Sequence, residues 1–81
     1  MTSLDLRAAV MEAVRAVAPE ADFATLRPDA SLREQLDIDS FDFLNVLIEL
    51  DKRLGIDIPE SDYGQVGTLD AMLAYLARRV A

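Results

Sequence analysis

The polar and apolar positions from residue 40 to residue 54 repeat with the period of a helix. With Ser40 set at ~0° on a wheel of roughly 100° per residue, Phe43, Val46, Leu47, Leu50 and Leu54 fall at about 240–340°. A stripe of that width packs on a core. Phe41, Leu44 and Ile48 fall at about 40–100°, a second apolar stripe close to the serine, and Asp42, Asn45 and Glu49 lie at about 140–220° as a polar face. Turn-forming residues, Asp37-Ile38-Asp39, precede the periodic segment. The pattern predicts a helix over 40–54 with Ser40 at the N-cap or in the first turn. Gly55 suits the position after its last turn, and Lys52 and Arg53 suit the negative end of its dipole. A helix with a core stripe, a second apolar stripe and an acidic edge is expected to dock partner proteins.

The rest of the chain is organised around that segment. Leu6, Val10, Ala13, Val14 and Val17 repeat at helical spacing, with Thr2 or Ser3 as cap and Asp5 in the first turn; Pro19 ends the helix near Val17 or Ala18. A long connection follows to Asp39. Within it Pro28-Asp29 signals a turn, and Ser31-Leu32-Arg33-Glu34 matches a capping box that opens one helical turn through Leu36. Phe23, Leu26, Leu32, Leu36 and Ile38 are expected to anchor the connection to the core, and Asp37 to sit in a turn conformation that aspartate tolerates. After an extended Ile56-Asp57-Ile58, Pro59 opens a brief turn through Tyr63 closed by Gly64. Thr68 caps a last helix whose buried stripe is Leu69, Met72, Leu73, Leu76 and Val80. No repeat, low-complexity segment or strand alternation interrupts this pattern. The expected fold is all-α: a small bundle of three main helices plus a short third helix, with a long loop between the first and second helices.

Charge and composition narrow the chemistry. The 81 residues make one domain with a formal net charge of −7, unevenly placed. Residues 37–62 hold Asp37, Asp39, Asp42, Glu49, Asp51, Asp57, Glu60 and Asp62 against Lys52 and Arg53, a net of −6. Such a field repels nucleic acid and anionic membranes and attracts basic protein surfaces. With no cysteine and no histidine, the chain has no disulfide, no thiolate metal site and no imidazole base. Asp37 and Asp39 lack calcium-loop spacing. The sole lysine, Lys52, lies ~18 Å along the helix from Ser40 at 1.5 Å per residue, so a serine-hydrolase mechanism has no base. No signal peptide or membrane span is visible, and a cytoplasmic monomer is the expectation. On residue mechanics alone Ser40 reads equally as a plain helix cap and as an exposed hydroxyl open to modification. Phe41, Leu44 and Ile48 read as core or as a partner-facing stripe, and Asp42, Glu49 and Asp51 as a solvated face or a docking edge.

The run Asp39-Ser40-Phe41 at a helix start, followed by the amphipathic helix and then by Ile56-Asp57-Ile58-Pro59, resembles the acyl carrier proteins across nearly the whole chain. That family has an aspartate-serine-leucine motif at the helix start and an acidic isoleucine-proline step after the helix. This sequence departs from it at Phe41, where leucine is usual, and at Asp37, where glycine usually precedes the motif; both bear on partner choice more than on the cofactor. The resemblance implies one acyl carrier domain over residues 1–81. Ser40 would receive 4′-phosphopantetheine from coenzyme A through a phosphopantetheinyl transferase. The arm's thiol would hold acyl groups as thioesters for synthases, reductases and transferases of fatty acid, polyketide or lipid biosynthesis, and for acyl-activating enzymes, with no catalysis by the carrier itself. Docking candidates are Asp39, Phe41, Asp42, Leu44, Ile48 and Glu49. Two other readings stay open: an aminoacyl or peptidyl carrier, and an unmodified acidic helical adaptor.

Overall fold

The computed structural model describes residues 2–80. Its elements follow the apolar periodicity closely. Helix α1 spans Ser3–Val17, α2 Leu32–Leu36, α3 Ser40–Leu54 and α4 Leu69–Val80, with a 3₁₀ turn over Glu60–Gln65 between α3 and α4. The expected all-helical bundle is what forms. Among the described residues the one strand-like feature is a single bridge between Ser31 and Thr68.

Each main helix starts where a short polar side chain can satisfy free backbone donors. At α1 the Thr2 hydroxyl accepts from the Asp5 amide at 3.1 Å, and the Asp5 carboxylate accepts from the Thr2 amide at 3.2 Å. At α4 the Thr68 hydroxyl accepts from the Ala71 amide at 3.1 Å. Helix α3 ends at Gly55, whose φ of 68° few other residues adopt without strain.

Helix α1 packs chiefly on α3 and then on α4, and the 3₁₀ turn packs on α4. Leu6, Val10, Ala13 and Val14 of α1 meet Phe43, Val46, Leu47 and Leu50 of α3 and Leu69, Met72 and Leu76 of α4 in one buried cluster. Each large side chain buried there contributes roughly 1.5–3 kcal/mol before the entropy of ordering it is subtracted.

The long connection is anchored as its apolar residues predict. Phe23 and Leu32 are buried, and Leu26, Leu36 and Ile38 are half-buried against the core. Polar stitching adds to this. Gln35 accepts from the Arg27 amide at 2.6 Å and donates to the carbonyls of Arg27 and Ala30 at 2.7 and 3.1 Å. The amide of Leu32 donates to Gly67 and that of Asp70 to Pro28, tying the connection to the entry of α4. The net effect is to fix the segment that leads into α3.

Two local expectations change. The turn opened by Pro59 does not close at Gly64 but runs to Gln65 as a 3₁₀ helix. On α4, Leu73 and Val80 are half-buried rather than buried, and Tyr75 joins the core at 3% exposure. The Tyr75 hydroxyl donates to Asp62 at 2.6 Å, while Arg78 and Arg79 lie over its ring. The bond to the Asp62 carboxylate, with burial, raises the tyrosine pKa above its ordinary value.

Candidate functional site at the start of helix α3

The site begins with a backbone reversal. Asp37 closes α2 in the left-handed region at φ 52° and ψ 47°, and its amide donates to Arg33 and Glu34 carbonyls. Ile38 then donates to the Arg33 carbonyl at 3.1 Å. The chain leaves this turn extended through Asp39, whose φ is −87° and ψ 180°. That geometry decides which of two adjacent capping residues acts. Asp39, not Ser40, is the N-cap: its carboxylate accepts from the Asp42 amide at 2.8 Å. Its negative charge also suits the positive end of the helix dipole.

Ser40 therefore occupies the first helical position, the first-turn alternative of its two expected placements. It is exposed, and among the described residues no hydrogen bond engages its hydroxyl. Asp39 has taken over the structural task that a serine at this point could have performed.

The second apolar stripe stays largely outside the core. Phe41 is 70% exposed and Ile48 44% exposed. Leu44 is half-buried but does not belong to the side chains packed on the buried cluster. The polar face is less solvated than its wheel position suggests. Asp42, Asn45 and Glu49 are half-buried and line, with Val17, Ile48 and Lys52, a groove of about 330 Å³ between the end of α1 and α3.

The acidic field is partly committed to structure. Glu49 pairs with Lys52 at 3.1 Å and with Arg53 at 3.0 Å, and its side chain is 21% exposed. Hydrogen bonds from Arg53, then Lys52, hold its carboxyl below the ordinary carboxylate value. Arg53 also reaches Glu12 of α1 at 3.5 Å. Glu49 thus sits in an ion-pair network at the α1–α3 seam and presents little free charge. Asp62 accepts from Tyr75 and from Gln65 at 3.3 Å. Asp42 remains the acid nearest the serine on the helix body, with Asp37 and Asp39 behind it. Among the described residues no group of three or more acids is placed to hold a metal ion, and no helix is long and apolar enough to cross a membrane.

Known proteins are similar to this chain in sequence and fold. The family model described as a phosphopantetheine attachment site matches residues 5–76. An acyl carrier protein of Rubrobacter xylanophilus is 31% identical over 55 residues, 68% of this chain and 68% of its own length. One of Thermosynechococcus vestitus is 27% identical over 75 residues, 89% of this chain and 93% of its own. The solution structure of a provisionally assigned acyl carrier protein from Anaplasma phagocytophilum superposes with a TM-score of 0.83 at 25% identity, covering 100% of this chain and 94% of the other. With the helical fold, the exposed serine at the head of α3 and a family match over most of its length, the chain belongs to the acyl carrier proteins and is a carrier of phosphopantetheine.

Proposed function

We propose that Ser40 is the residue that bears 4′-phosphopantetheine, and that the exposed stripe of α3 is the surface that partner enzymes read. One observation carries this reading: Asp39 caps α3, which leaves Ser40 exposed on a rigid helix with a hydroxyl that no other described residue engages. The residues present fit the group. A primary hydroxyl is open to an incoming transferase, and a helix N-terminus favours the phosphodiester anion that would form there. Attack by the Ser40 oxygen on the pyrophosphate of coenzyme A forms a serine phosphodiester, expels adenosine 3′,5′-bisphosphate and releases the serine proton to the transferase. The thiol of the bound group supplies the thioester chemistry.

The chain's own contribution is presentation. Phe41, Leu44 and Ile48 offer apolar contact beside Ser40, and Asp42 offers charge to basic docking surfaces on the transferase and on synthase or transferase enzymes. Asp39 acts through the helix, by fixing the direction of its first turn. Glu49 acts through Arg53, which it pairs within α3 and which reaches Glu12 of α1 across the seam that backs the docking face. The carrier performs no catalysis of its own in this reading. Its net charge of −7 favours a monomer by self-repulsion and, with the absence of cysteine, suits the cytoplasm. Acyl cargo of fatty acid, polyketide or lipid biosynthesis is the class it serves.

Incubation with coenzyme A and a broad-specificity transferase, followed by intact-mass analysis and fragmentation, tests the assignment. The expected result is one added arm located at Ser40 and none on Ser40→Ala. An arm on Ser31 or Ser61, or no arm, refutes it.

A further inference from the structure

The connection between α1 and α2 holds a groove that includes neither Ser40 nor any residue of α3. Its apolar part is Ala18, Ala21, Leu26 and Leu36, its acids are Glu20 and Asp22, and it encloses about 190 Å³. That is the volume of about six water molecules, room for one long side chain rather than for a drug-sized ligand. Ala18 is buried, and Ala21, Leu26 and Leu36 pack against the core. Behind them the crevice narrows onto buried Phe23 and is too tight to admit water. The floor is therefore apolar and firmly backed.

The groove's side-chain donors are spent. Gln35 gives its amide hydrogens to the carbonyls of Arg27 and Ala30 and accepts from the Arg27 amide, and the Thr25 hydroxyl donates to the Asp22 carbonyl at 3.2 Å. Its carboxylates are not spent. One oxygen of Asp22 accepts from the Ala24 amide at 2.9 Å, and neither its other oxygen nor Glu20 has a partner among the described residues. No base lines the groove, and Arg15 of α1 lies over the Phe23 ring at 5.4 Å. Helix α1 ends at Val17, next to Ala18, so the negative end of its dipole adds to the same sign.

We propose that this groove is a docking socket for one arginine side chain on the surface of a partner protein. Long basic side chains bury their stems along apolar surface and keep their charged heads at the rim. The stem lies on Ala21, Leu26 and Leu36, and the guanidinium meets Glu20 and Asp22. Arginine suits the rim better than lysine, because its planar fork engages carboxylates in pairs and is more weakly hydrated. An anion or a wholly apolar chain meets unpaired carboxylates instead, so the same lining selects against both. Leu36 precedes Ser40 by four residues, at most ~14 Å of extended chain, less than the breadth of a standard protein interface. The proposal does not depend on what Ser40 carries.

The test is a magnetic-resonance titration of the isotope-labelled full chain with acetyl-Leu-Arg-Leu-amide. The control is the same peptide carrying citrulline, which keeps the shape of arginine without its charge. The expected result is saturating amide shifts at Ala21, Asp22, Thr25 and Leu36, with the citrulline peptide bound about fivefold more weakly. Raising salt from ~0.05 to ~0.5 M should narrow that gap. Glu20→Gln combined with Asp22→Asn, which keeps an acceptor for the Ala24 amide, should bring the arginine peptide to the citrulline level. Both positions are exposed, so the spectrum outside the groove should stay as it was. Asp42→Asn on α3 should leave binding unchanged. Equal binding of the two peptides, shifts gathered on α3, or loss of binding in Asp42→Asn overturns the socket. So does equal affinity for acetyl-arginine-amide alone, which would make the groove a small-molecule site.

Discussion

The division of labour between Asp39 and Ser40 can be measured by two alanine substitutions one residue apart. Asp39→Ala removes the bond to the Asp42 amide. Loss of an N-cap costs about 0.5–2 kcal/mol, and loss of a favourable charge at the helix start about 0.3–1 kcal/mol. The sum is set at about 1–2 kcal/mol, because the two effects share one carboxylate. Ser40→Ala removes no hydrogen bond within the described residues and replaces a middling helix former with the best one, so it should change stability by about 0.5 kcal/mol or less, in the stabilising direction. For a chain of 81 residues, total stability of roughly 4–12 kcal/mol makes the first change easy to see. In thermal unfolding of a domain this size, ~1 kcal/mol corresponds to about 4–8 °C. Asp39→Ala should therefore lower Tm by about 4–15 °C, and Ser40→Ala should leave it level or slightly raised. Asp39→Asn separates the parts, since asparagine caps but carries no charge, and should recover most of the loss. The reasoning fails if Ser40→Ala destabilises as much as Asp39→Ala, because the serine would then be capping the helix in solution.

Leu47→Ala, in the closed core at 4% exposure, should cost about 2–5 kcal/mol. Leu44→Ala should cost about 1 kcal/mol, in keeping with partial burial of a few methylenes, yet slow loading by the transferase more; equal urea midpoints for the two would place Leu44 in the core. Asp37→Gly should raise stability by about 0.5–1 kcal/mol, because glycine adopts φ 52° without the left-handed penalty but loses more backbone entropy on folding. Tyr75 has a pKa raised above 10.0 by its bond to Asp62, so its contribution is complete below that pH and is lost as pH rises through the higher folded value. Tyr75→Phe should lower the urea midpoint at pH 8 and flatten its decline above pH 10 relative to the parent protein.

Helix extents were legible because several independent signals agree on them. The 40–54 pattern carries a core stripe, turn residues ahead of it and Gly55 behind it, and Asp37 was readable as a left-handed turn because aspartate tolerates that region. The cap of α3 was not legible. Aspartate and serine are comparable N-caps, and only the extended backbone at Asp39 selects between them. Tyr75 escaped for a different reason. It lies about 60° from Met72 on the wheel, but its hydroxyl is satisfied by Asp62, thirteen residues away in a 3₁₀ turn that no periodicity encodes. The ion pairs of Glu49 went unread, although its spacing to Lys52 and Arg53 announces them.

The 3₁₀ turn over Glu60–Gln65 has no fully buried residue; the Tyr75–Asp62 bond and half-buried Tyr63, packed on the core, tie it to the bundle. Of its own apolar side chains its opening frees only half-buried Tyr63, so it should cost only a fraction of the global unfolding free energy, whereas parting α1 from α3 dismantles the core. In deuterated water the two regions would exchange on separate clocks. Amides of the turn would label through brief local excursions, and those of Val10, Val14, Val46 and Leu50 only when the whole chain unfolds. The acyl carrier protein is thus a domain of two rigidities. Helix α3 belongs to the slow-exchanging unit, and the corner held by Tyr75 and Tyr63 can come and go without loosening it.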